Sequence, residues 1–507
     1  MNILLINGNI TRCAKSGYGL TPAPAGLTSL AGVLRRRGHD VRIRQAFSHV
    51  LPQEEDLPLL RRELGELLGE FYPDVIGISC RNIWAARRPS NPLRLIEYYS
   101  AFYDARLVRM FRTLCSSPIV MGGTAFSIEP ALYLKSAKPD FGIIGEAEES
   151  LPALVDALQA GKELPAIDGL ITESAADAWH AIQPARVQDL AAVGVGACDL
   201  VNNFRDCYYE GGGFVPIQTK RGCPMDCIYC TAARLEGKCY RFRLINDVIA
   251  EMLAYRDTRG VRHFFFVDST FNHPIDHALE VCDAILQARL QIEWIAEVTP
   301  VAISDALAAA MKRSGCIGLT LTPDSCSNRV LKSYGKNMDT KQVAEAIAVL
   351  RRHKIPFDTC LIVGGPGETR ETLVESMDFC GKHLANDVVR FYDGMIVTSC
   401  SKSYDLARSE GVINATKPYA DLVLDNDFRA VKSYDYFFPH LKQPRKQLMD
   451  WIGGVCTGPR WLLAGRDYVP DPQSGELTLR PEIQIAEGSR PWWKGLRRTN
   501  ERRTIGV

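Results

Sequence analysis

The stretch Thr219-Lys-Arg-Gly-Cys-Pro-Met-Asp-Cys-Ile-Tyr-Cys230 sets three thiols inside eight residues, at the spacing C-x3-C-x2-C. Cys223, Cys227 and Cys230 cannot all lie on one face of a helix or strand, so we expect a loop wrapped around something that the sulfurs bind. Thiolates are soft ligands that select zinc, cuprous copper or iron–sulfur clusters. Because no fourth Cys or His completes a zinc spacing, an iron–sulfur cluster fits best.

A cluster held by this loop has one open coordination position. A cubane cluster normally takes four cysteines, and the next thiol, Cys239, lies nine residues beyond Cys230. Three thiolates leave one iron for an exogenous ligand, which indicates a catalytic cluster rather than an electron carrier. The alternative is that three ordinary buried or redox cysteines share this spacing by chance.

The composition excludes several classes of partner. The chain has 507 residues, of which 60 are basic and 59 acidic, so the net charge of +1 favours neither nucleic acid nor an anionic membrane. The 16 cysteines are scattered and the first residues lack the basic region of a signal peptide, so we expect a reducing cytoplasm. No stretch reaches the roughly 18 apolar residues of a membrane helix, so we expect no membrane insertion.

The sequence before the loop alternates short apolar runs with helical segments. Several of the runs lead into a glycine, and a predicted helix over 27–37 ends at the C-cap Gly38. This alternation predicts an α/β fold with a doubly wound parallel sheet over residues 1–160, with ligands at the carboxyl ends of its strands. The predicted strands cover residues 2–6, 41–43, 75–79, 119–121 and 141–144.

The alternation resumes around and after the cysteine loop. Residues 161–213 are predicted to be a linker and cap, and a strand at 214–218 leads directly into the loop. Further predicted strands cover residues 263–267, 292–297, 317–321, 360–363 and 388–392. The tail, 405–507, is predicted to be a small C-terminal domain, α/β or mostly helical, that caps the substrate site.

The cysteine loop, with Tyr229 before its last Cys, resembles the signature of the radical S-adenosylmethionine (SAM) enzymes. The later turn Gly364-Gly-Pro-Gly-Glu-Thr369 is similar to the turn after the fifth barrel strand of that family. The resemblance implies a partial (β/α)6 barrel over 214–404 and a [4Fe–4S] cluster whose open iron chelates the amino and carboxylate groups of SAM. It also implies an electron donor such as a flavodoxin or ferredoxin.

The same resemblance implies contacts to SAM. Asp268 or Ser269 occupies the place where the family binds the SAM amino group, although the usual Gly-Gly-Glu is absent. Ser325 corresponds to a serine near the ribose, and Gly365 and Pro366 correspond to backbone along the adenine.

The first domain resembles the cobalamin-binding domain that is often joined to a radical SAM core. The matching features are the segment 24–41, the turn Gly122-Gly123 and Gly145-Glu146-Ala-Glu148. The resemblance implies cobalamin contacts from Gly122, Gly123, Gly145 and Glu146.

The lower face of cobalt is expected to lack a histidine ligand. The Asp-x-His-x-x-Gly motif of other cobalamin proteins is missing, and His39 and His49 are the only histidines before residue 180. The segment Ile78-Ser-Cys-Arg-Asn-Ile-Trp84 resembles the tryptophan methyltransferase branch, in which an arginine lies beneath cobalt without coordinating it. Arg81 is the candidate for that role.

The combined resemblance implies a cobalamin-dependent radical SAM methyltransferase acting on a carbon of a small molecule, possibly aromatic or amino-acid-like. Glu297, at the end of a predicted strand, is the candidate catalytic carboxylate. A ring-closing enzyme without methyl transfer is the first alternative, because Thr398-Ser-Cys-Ser-Lys-Ser403 replaces the Pro-Gly-Thr turn of many relatives. A non-catalytic cobalamin or redox sensor is the second.

Overall fold

The computed structural model describes residues 1–8, 23–44, 57–81, 96, 99–201, 214–385, 387–413 and 417–427, and four short strands beyond them. The strands are β1 (Asn2–Gly8), β2 (Asp40–Arg44), β3 (Val75–Cys80), β4 (Ile119–Gly122), β5 (Phe141–Ile143), β6 (Leu170–Ile171), β7 (Val215–Ile217), β8 (Lys220–Arg221), β9 (Arg241–Phe242), β10 (His263–Phe266), β11 (Glu293–Val298), β12 (Cys316–Asp324), β13 (Phe357–Val363), β14 (Val388–Asp393), β15 (Met395–Ile396), β16 (Asp435–Tyr436), β17 (Trp461–Leu463), β18 (Tyr468–Pro470) and β19 (Leu477–Leu479).

The α-helices pack against these strands. They are α1 (Ala25–Arg36), α2 (Leu57–Glu70), α3 (Ser100–Leu114), α4 (Thr124–Ile128), α5 (Pro130–Ala137), α6 (Ser150–Ala160), α7 (Ala232–Leu235), α8 (Ile245–Arg259), α9 (Ile275–Gln287), α10 (Asp305–Arg313), α11 (Asn328–Ser333), α12 (Thr340–Arg352), α13 (Arg370–His383), α14 (Lys402–Ser409) and α15 (Tyr419–Leu424). Short 3₁₀ helices cover Glu173–Ala181, Leu190–Val193 and Cys198–Leu200. No helix in the described part of the chain is long and apolar enough to cross a membrane.

The first sheet has the strand order β2-β1-β3-β4-β5-β6. Its first five strands are parallel, and β6 is antiparallel to β5. Side chains of β1 alternate between two cores, with Leu4 and Ile6 in one and Ile3 and Leu5 in the other. Both faces are therefore covered, which explains the continuous apolar run and confirms the doubly wound prediction. The strand order reverses between β1 and β3, where such sheets bind ligands.

The second sheet has seven parallel strands in the order β17-β14-β13-β12-β11-β10-β7. It confirms the partial barrel, and β17 adds a strand beyond the six predicted. That strand comes from the tail expected to form a separate domain, just as β6 comes from the predicted linker. The domain boundaries themselves stay predictions.

The two faces of the second sheet differ in chemistry. One face is apolar and packs on the surrounding helices, with Ala296, Leu319 and Leu361 in a common core. The register pairs Glu297 with Thr320, and Thr320 with Asp358, on the opposite face. Because parallel partners point the same way, the barrel interior carries a row of polar side chains.

Candidate active site

A cavity of about 380 Å³ lies between the carboxyl edge of the first sheet and the cysteine loop. Gly122, Gly123 and Gly145 line one side, and Cys230 and Thr231 line the other. The volume falls within the range of small-molecule sites, about 300–1,000 Å³. The two predicted cofactor regions therefore open into one space.

The glycines at the rim of the cavity are required by close backbone approach. Gly123 has φ +91°, and a Cβ there would lie 2.7 Å from the carbonyl oxygen of Cys80. Gly145 has φ +97°, and its Cβ would lie 2.4 Å from the carbonyl oxygen of Ala185. The neighbouring backbone therefore requires glycine at both turns, and the rim carries no side chain at these two positions. The individual contacts to cobalamin stay predictions.

Glu146 joins the two sheets. Its carboxylate pairs with Arg221 at 3.1 Å and with Arg241 at 2.5 Å, and it accepts a hydrogen bond from the backbone of Val187 at 2.8 Å. Arg221 also pairs with Glu148 at 2.5 Å. These contacts hold the Glu146 carboxylate between the two sheets, at the wall of the cavity, and its contact to cobalamin stays a prediction.

The electrostatics of this joint are those of a buried ion pair. Burial opposes ionisation of Glu148, but the charge of Arg221 and the hydrogen bonds from Arg221 and Ser29 together outweigh burial and lower the pKa of Glu148. The same carboxylates raise the pKa of Arg221 against the effect of burial. Arg221 lies two residues before Cys223, so the joint fixes the base of the cysteine loop against the first sheet.

The three thiols of the loop are close enough for their charges to affect one another's pKa. Burial, together with the charges of Cys227 and Cys223, raises the pKa of Cys230 to about 11. Among the described residues, no three Cys, His, Asp or Glu side chains surround a single metal-ion position. A cubane places each thiolate on a different iron, and three thiols in one loop are a donor set of the kind that holds such a cluster.

The chain just before the cysteines is held by a buried carboxylate. Asp268 accepts hydrogen bonds from the backbone nitrogen and Oγ1 of Thr219, at 2.7 and 2.6 Å, and pairs with Lys220 at 3.0 Å. These contacts make Asp268 a support of the loop rather than a free ligand for SAM. Ser269 is exposed and donates to Glu236, a residue of the cavity wall, at 3.2 Å. Ser269 is therefore the better candidate for the SAM contact.

Tyr334 brings the glycine turn to the cysteine loop. Its carbonyl oxygen accepts from the backbone of Ile228 at 3.0 Å, and its hydroxyl accepts from the backbone of Gly365 at 3.1 Å. A Cβ on Gly365 would lie 2.4 Å from that hydroxyl. Pro366 accepts from Ser333 at 2.6 Å. The structure thus places the two family motifs side by side.

The ribose candidate and the glutamate of the turn are both buried. The Ser325 hydroxyl accepts from the backbone of Ser327 at 3.2 Å, inside the loop that follows β12. Glu368 accepts from the backbone of Gly364, and burial raises its pKa to about 8. Glu368 therefore stabilises the turn from within.

The barrel interior holds an ion pair and a separate carboxylate. Arg390 donates to Asp358 at 2.9 Å and to Thr320 at 3.1 Å, and the Oδ2 atom of Asp358 is buried without a partner among the described residues. The Glu297 side chain has no hydrogen-bond or ion-pair partner in the same part of the chain and keeps solvent access. Burial of the carboxyl raises its pKa, against the opposing charge of Arg390. Glu297 is thus available to a ligand.

Arg81 follows β3 at the carboxyl edge of the first sheet. Its side chain is accessible, and desolvation by the protein around it lowers its pKa. It has no partner among the described residues, and the remainder of its segment, 82–84, lies outside them. His39 lies at the opposite edge of the sheet, beside Asp156, and His49 lies outside the described residues. An arginine beneath cobalt, with no histidine ligand, stays a prediction.

Sequence reasoning missed a lysine beside the cluster loop. Lys336 is 9% exposed, pairs with Asp324 and lies 5.8 Å from the ring centroid of Tyr229. It also missed Arg390 and Asp358. The only signal for Lys336 is its place after Tyr334-Gly335, which touch the loop in the folded chain, so no local pattern marks it.

Comparisons with known proteins agree with this geometry. The Radical SAM superfamily profile matches residues 217–380, and the B12 binding domain profile matches residues 13–155. Over 395 residues the chain is 28% identical to an uncharacterized methyltransferase of Pyrococcus horikoshii, covering 77% of this chain and 80% of that protein. Over 338 residues it is 27% identical to the anaerobic magnesium-protoporphyrin IX monomethyl ester cyclase of Synechocystis, covering 66% and 62%.

A solved structure shares the fold of both sheets. It is the radical S-adenosylmethionine methyltransferase TsrM from Kitasatospora setae, with tryptophan substrate and a SAM analogue bound. It is 21% identical, with a TM-score of 0.66, and the match covers 82% of this chain and 77% of that one.

A B12-binding domain joined to a radical SAM barrel, with the cysteine loop facing the first sheet, defines a cobalamin-dependent radical SAM enzyme. Within that class, the chain is similar to members of the cobalamin-dependent radical SAM methyltransferase family. The cofactors of this family are a [4Fe–4S] cluster, SAM and cobalamin.

Proposed function

We propose that the protein transfers a methyl group from SAM, by way of cobalamin, to a carbon atom of a small molecule of aromatic or amino-acid-like character. The observation that carries the proposal is the single cavity lined both by Gly122 and Gly123 and by Cys230. Passing a methyl group between two cofactors and a substrate requires one enclosed space that holds them in reacting geometry. The tryptophan in the neighbouring TsrM structure supports the substrate class.

The cofactors divide the chemistry, and the protein positions it. When bound, cobalamin would carry the methyl group and the cluster would supply an electron, received from a donor such as a flavodoxin or ferredoxin in a reducing cytoplasm. Arg81, which follows β3, would sit on the cobalamin side of the first sheet, where its charge would discourage a strong donor to the metal. Glu297 accepts the proton that the substrate carbon releases when the methyl group arrives. The cluster is held by Cys223, Cys227 and Cys230, and SAM is bordered by Ser269, Ser325, Gly365 and Pro366.

The test is product analysis with labelled SAM. Anaerobically reconstituted protein is incubated with a reductant, SAM that carries a deuterated methyl group, and a panel of aromatic compounds and amino acids that includes tryptophan. A product heavier by one deuterated methyl group, formed together with S-adenosylhomocysteine, supports the proposal. Turnover of SAM with an unlabelled, altered product contradicts it.

Ring closure without methyl transfer is the second candidate. It is favoured by the cyclase of Synechocystis among the relatives and by the segment 398–403, in which Ser399 donates to the buried Glu129 at 2.6 Å. A cyclase would give 5′-deoxyadenosine and an unmethylated product in the same assay. The match of residues 217–380 to the Radical SAM superfamily argues against a non-catalytic sensor.

A further inference from the structure

Lys336, Asp324 and Tyr229 form a group of interacting polar side chains against the cysteine loop. The ammonium of Lys336 pairs with Asp324, and their side chains are 9% and 10% exposed. Lys336 also donates to the carbonyl oxygen of Thr322 at 3.1 Å, while the hydroxyl of Tyr229 donates to Asp324. Tyr229 directly precedes Cys230, so this group of three side chains lies next to a sulfur ligand of the iron–sulfur cluster.

Backbone contacts hold the lysine in this place. Ile228 donates to the carbonyl oxygen of Tyr334 at 3.0 Å. Gly335 has φ +72°, and a Cβ there would lie 2.4 Å from the carbonyl oxygen of Asp226. Residues 334–336 therefore pack on the part of the loop that surrounds Cys227. These contacts fix the backbone of Lys336, and Asp324 and the carbonyl oxygen of Thr322 hold its ammonium where the charges of Cys227 and Cys230 act on it.

A fixed charge at this position changes the free energy of reducing the iron–sulfur cluster. Three thiolates make the cluster site negative, and reduction adds one more negative charge. A nearby buried cation stabilises the reduced form more than the oxidised form, and a buried anion does the opposite, because the low dielectric screens them little. Net charge around the sulfurs is one of the factors that set the potential of iron–sulfur clusters.

We propose that Lys336 and Asp324 set the reduction potential of the cluster held by this loop, with Lys336 raising the potential and Asp324 lowering it. The inference rests on the cluster of the proposed function. One electron from the external donor enters the cluster, and no bond in the protein is made or broken. The pair thereby decides how readily a weak biological reductant reduces the cluster.

The test is a redox titration of the reconstituted protein without SAM, followed by electron paramagnetic resonance. Lys336→Met is expected to lower the ratio of reduced to oxidised cluster about tenfold at a fixed potential, a shift of about 59 mV for one electron. Asp324→Asn is expected to shift the potential in the opposite direction. Lys238→Met is the matched control, because Lys238 pairs with Asp226 of the same loop but is 62% exposed and screened by solvent.

The outcomes separate this inference from the proposed function. Shifts of opposite sign with intact iron content support it, and Lys336→Arg, which keeps the charge, is expected to keep the potential even if Lys336→Met does not fold. Unchanged potentials, or shifts of the same sign in the two variants, overturn it. A wild-type protein that assembles no cluster overturns the proposed function itself, and this inference with it.

Discussion

At the scale of single residues, Glu297 is the side chain on which the proposed chemistry depends most directly. Its carboxylate accepts a proton only when ionised, and burial raises its pKa. Methyl transfer should therefore increase with pH through a range above that of an ordinary carboxyl group. Glu297→Gln should lower the rate about 10²- to 10⁴-fold, as expected for loss of a general base, and should abolish that pH dependence.

The control for Glu297 lies on the same strand. Glu293 pairs with His263 at 3.0 Å, so Glu293→Gln should leave the pH–rate profile unchanged. The measurement is the initial rate of labelled methyl incorporation between about pH 5 and 9, the range across which a raised carboxyl pKa becomes visible. An acidic limb that persists in Glu297→Gln would contradict the assignment.

Substitutions of Arg81 test whether its charge lies at the lower face of cobalamin. The guanidinium is accessible and has no partner among the described residues, so its charge is available to a ligand. Arg81→Lys should keep the corrin absorption spectrum of the wild type, because the charge remains, whereas Arg81→Gln should shift the corrin bands and slow methyl transfer. Both variants should keep their iron. Identical spectra and rates in the wild type and both variants would show that Arg81 is not part of the cobalamin site.

At the scale of elements, the turn after β4 depends on a backbone that favours glycine. Gly123 adopts φ 91° and ψ 176°, so Gly123→Ala should cost about 1–3 kcal/mol of stability and weaken corrin binding. Gly65, within α2, has open space around its Cβ position, so Gly65→Ala should instead stabilise the protein by about 1 kcal/mol. Urea unfolding of the two variants measures the contrast, and equal effects would refute it.

The joint between the two sheets predicts a second contrast. Arg221→Met leaves Glu146 and Glu148 in a buried site with one cation fewer, which should cost about 3–5 kcal/mol. Arg35→Met breaks a pair whose side chains are 45% and 56% exposed and should cost about 0–1 kcal/mol. The free energy of unfolding in urea gives both values, and a small loss for Arg221→Met would show that the joint is dispensable.

The same joint has a defined pH dependence. The pKa of Glu148 is lowered in the folded protein, so its contribution to stability is present above the ordinary carboxyl pKa and is lost as the pH falls through the lowered value. The difference in stability between wild type and Arg221→Met should therefore be largest at neutral pH. It should shrink on acidification below the ordinary carboxyl range, and a difference that does not change with pH would contradict the linkage.

At the scale of the whole molecule, local patterns predict both sheets well. Apolar runs that alternate with helical segments lead to the correct fold class, because a strand buried on both faces is a continuous apolar run, as in β1. They do not predict β6 or β17, which are short and join their sheets through long-range pairing. The site is predictable where a motif is contiguous, as for the three cysteines. The roles of Glu146, Asp268 and Lys336 depend on partners distant in sequence, which no local pattern contains.

The most direct test of the account is cofactor analysis of the anaerobically reconstituted wild type beside Cys227→Ala. The account predicts about four irons and about one corrin per chain in the wild type. The variant should lose iron and keep corrin, because the corrin is held by the first sheet and not by the thiols. Iron without corrin, or loss of corrin together with iron in the variant, would contradict two separately held cofactors that meet in one cavity.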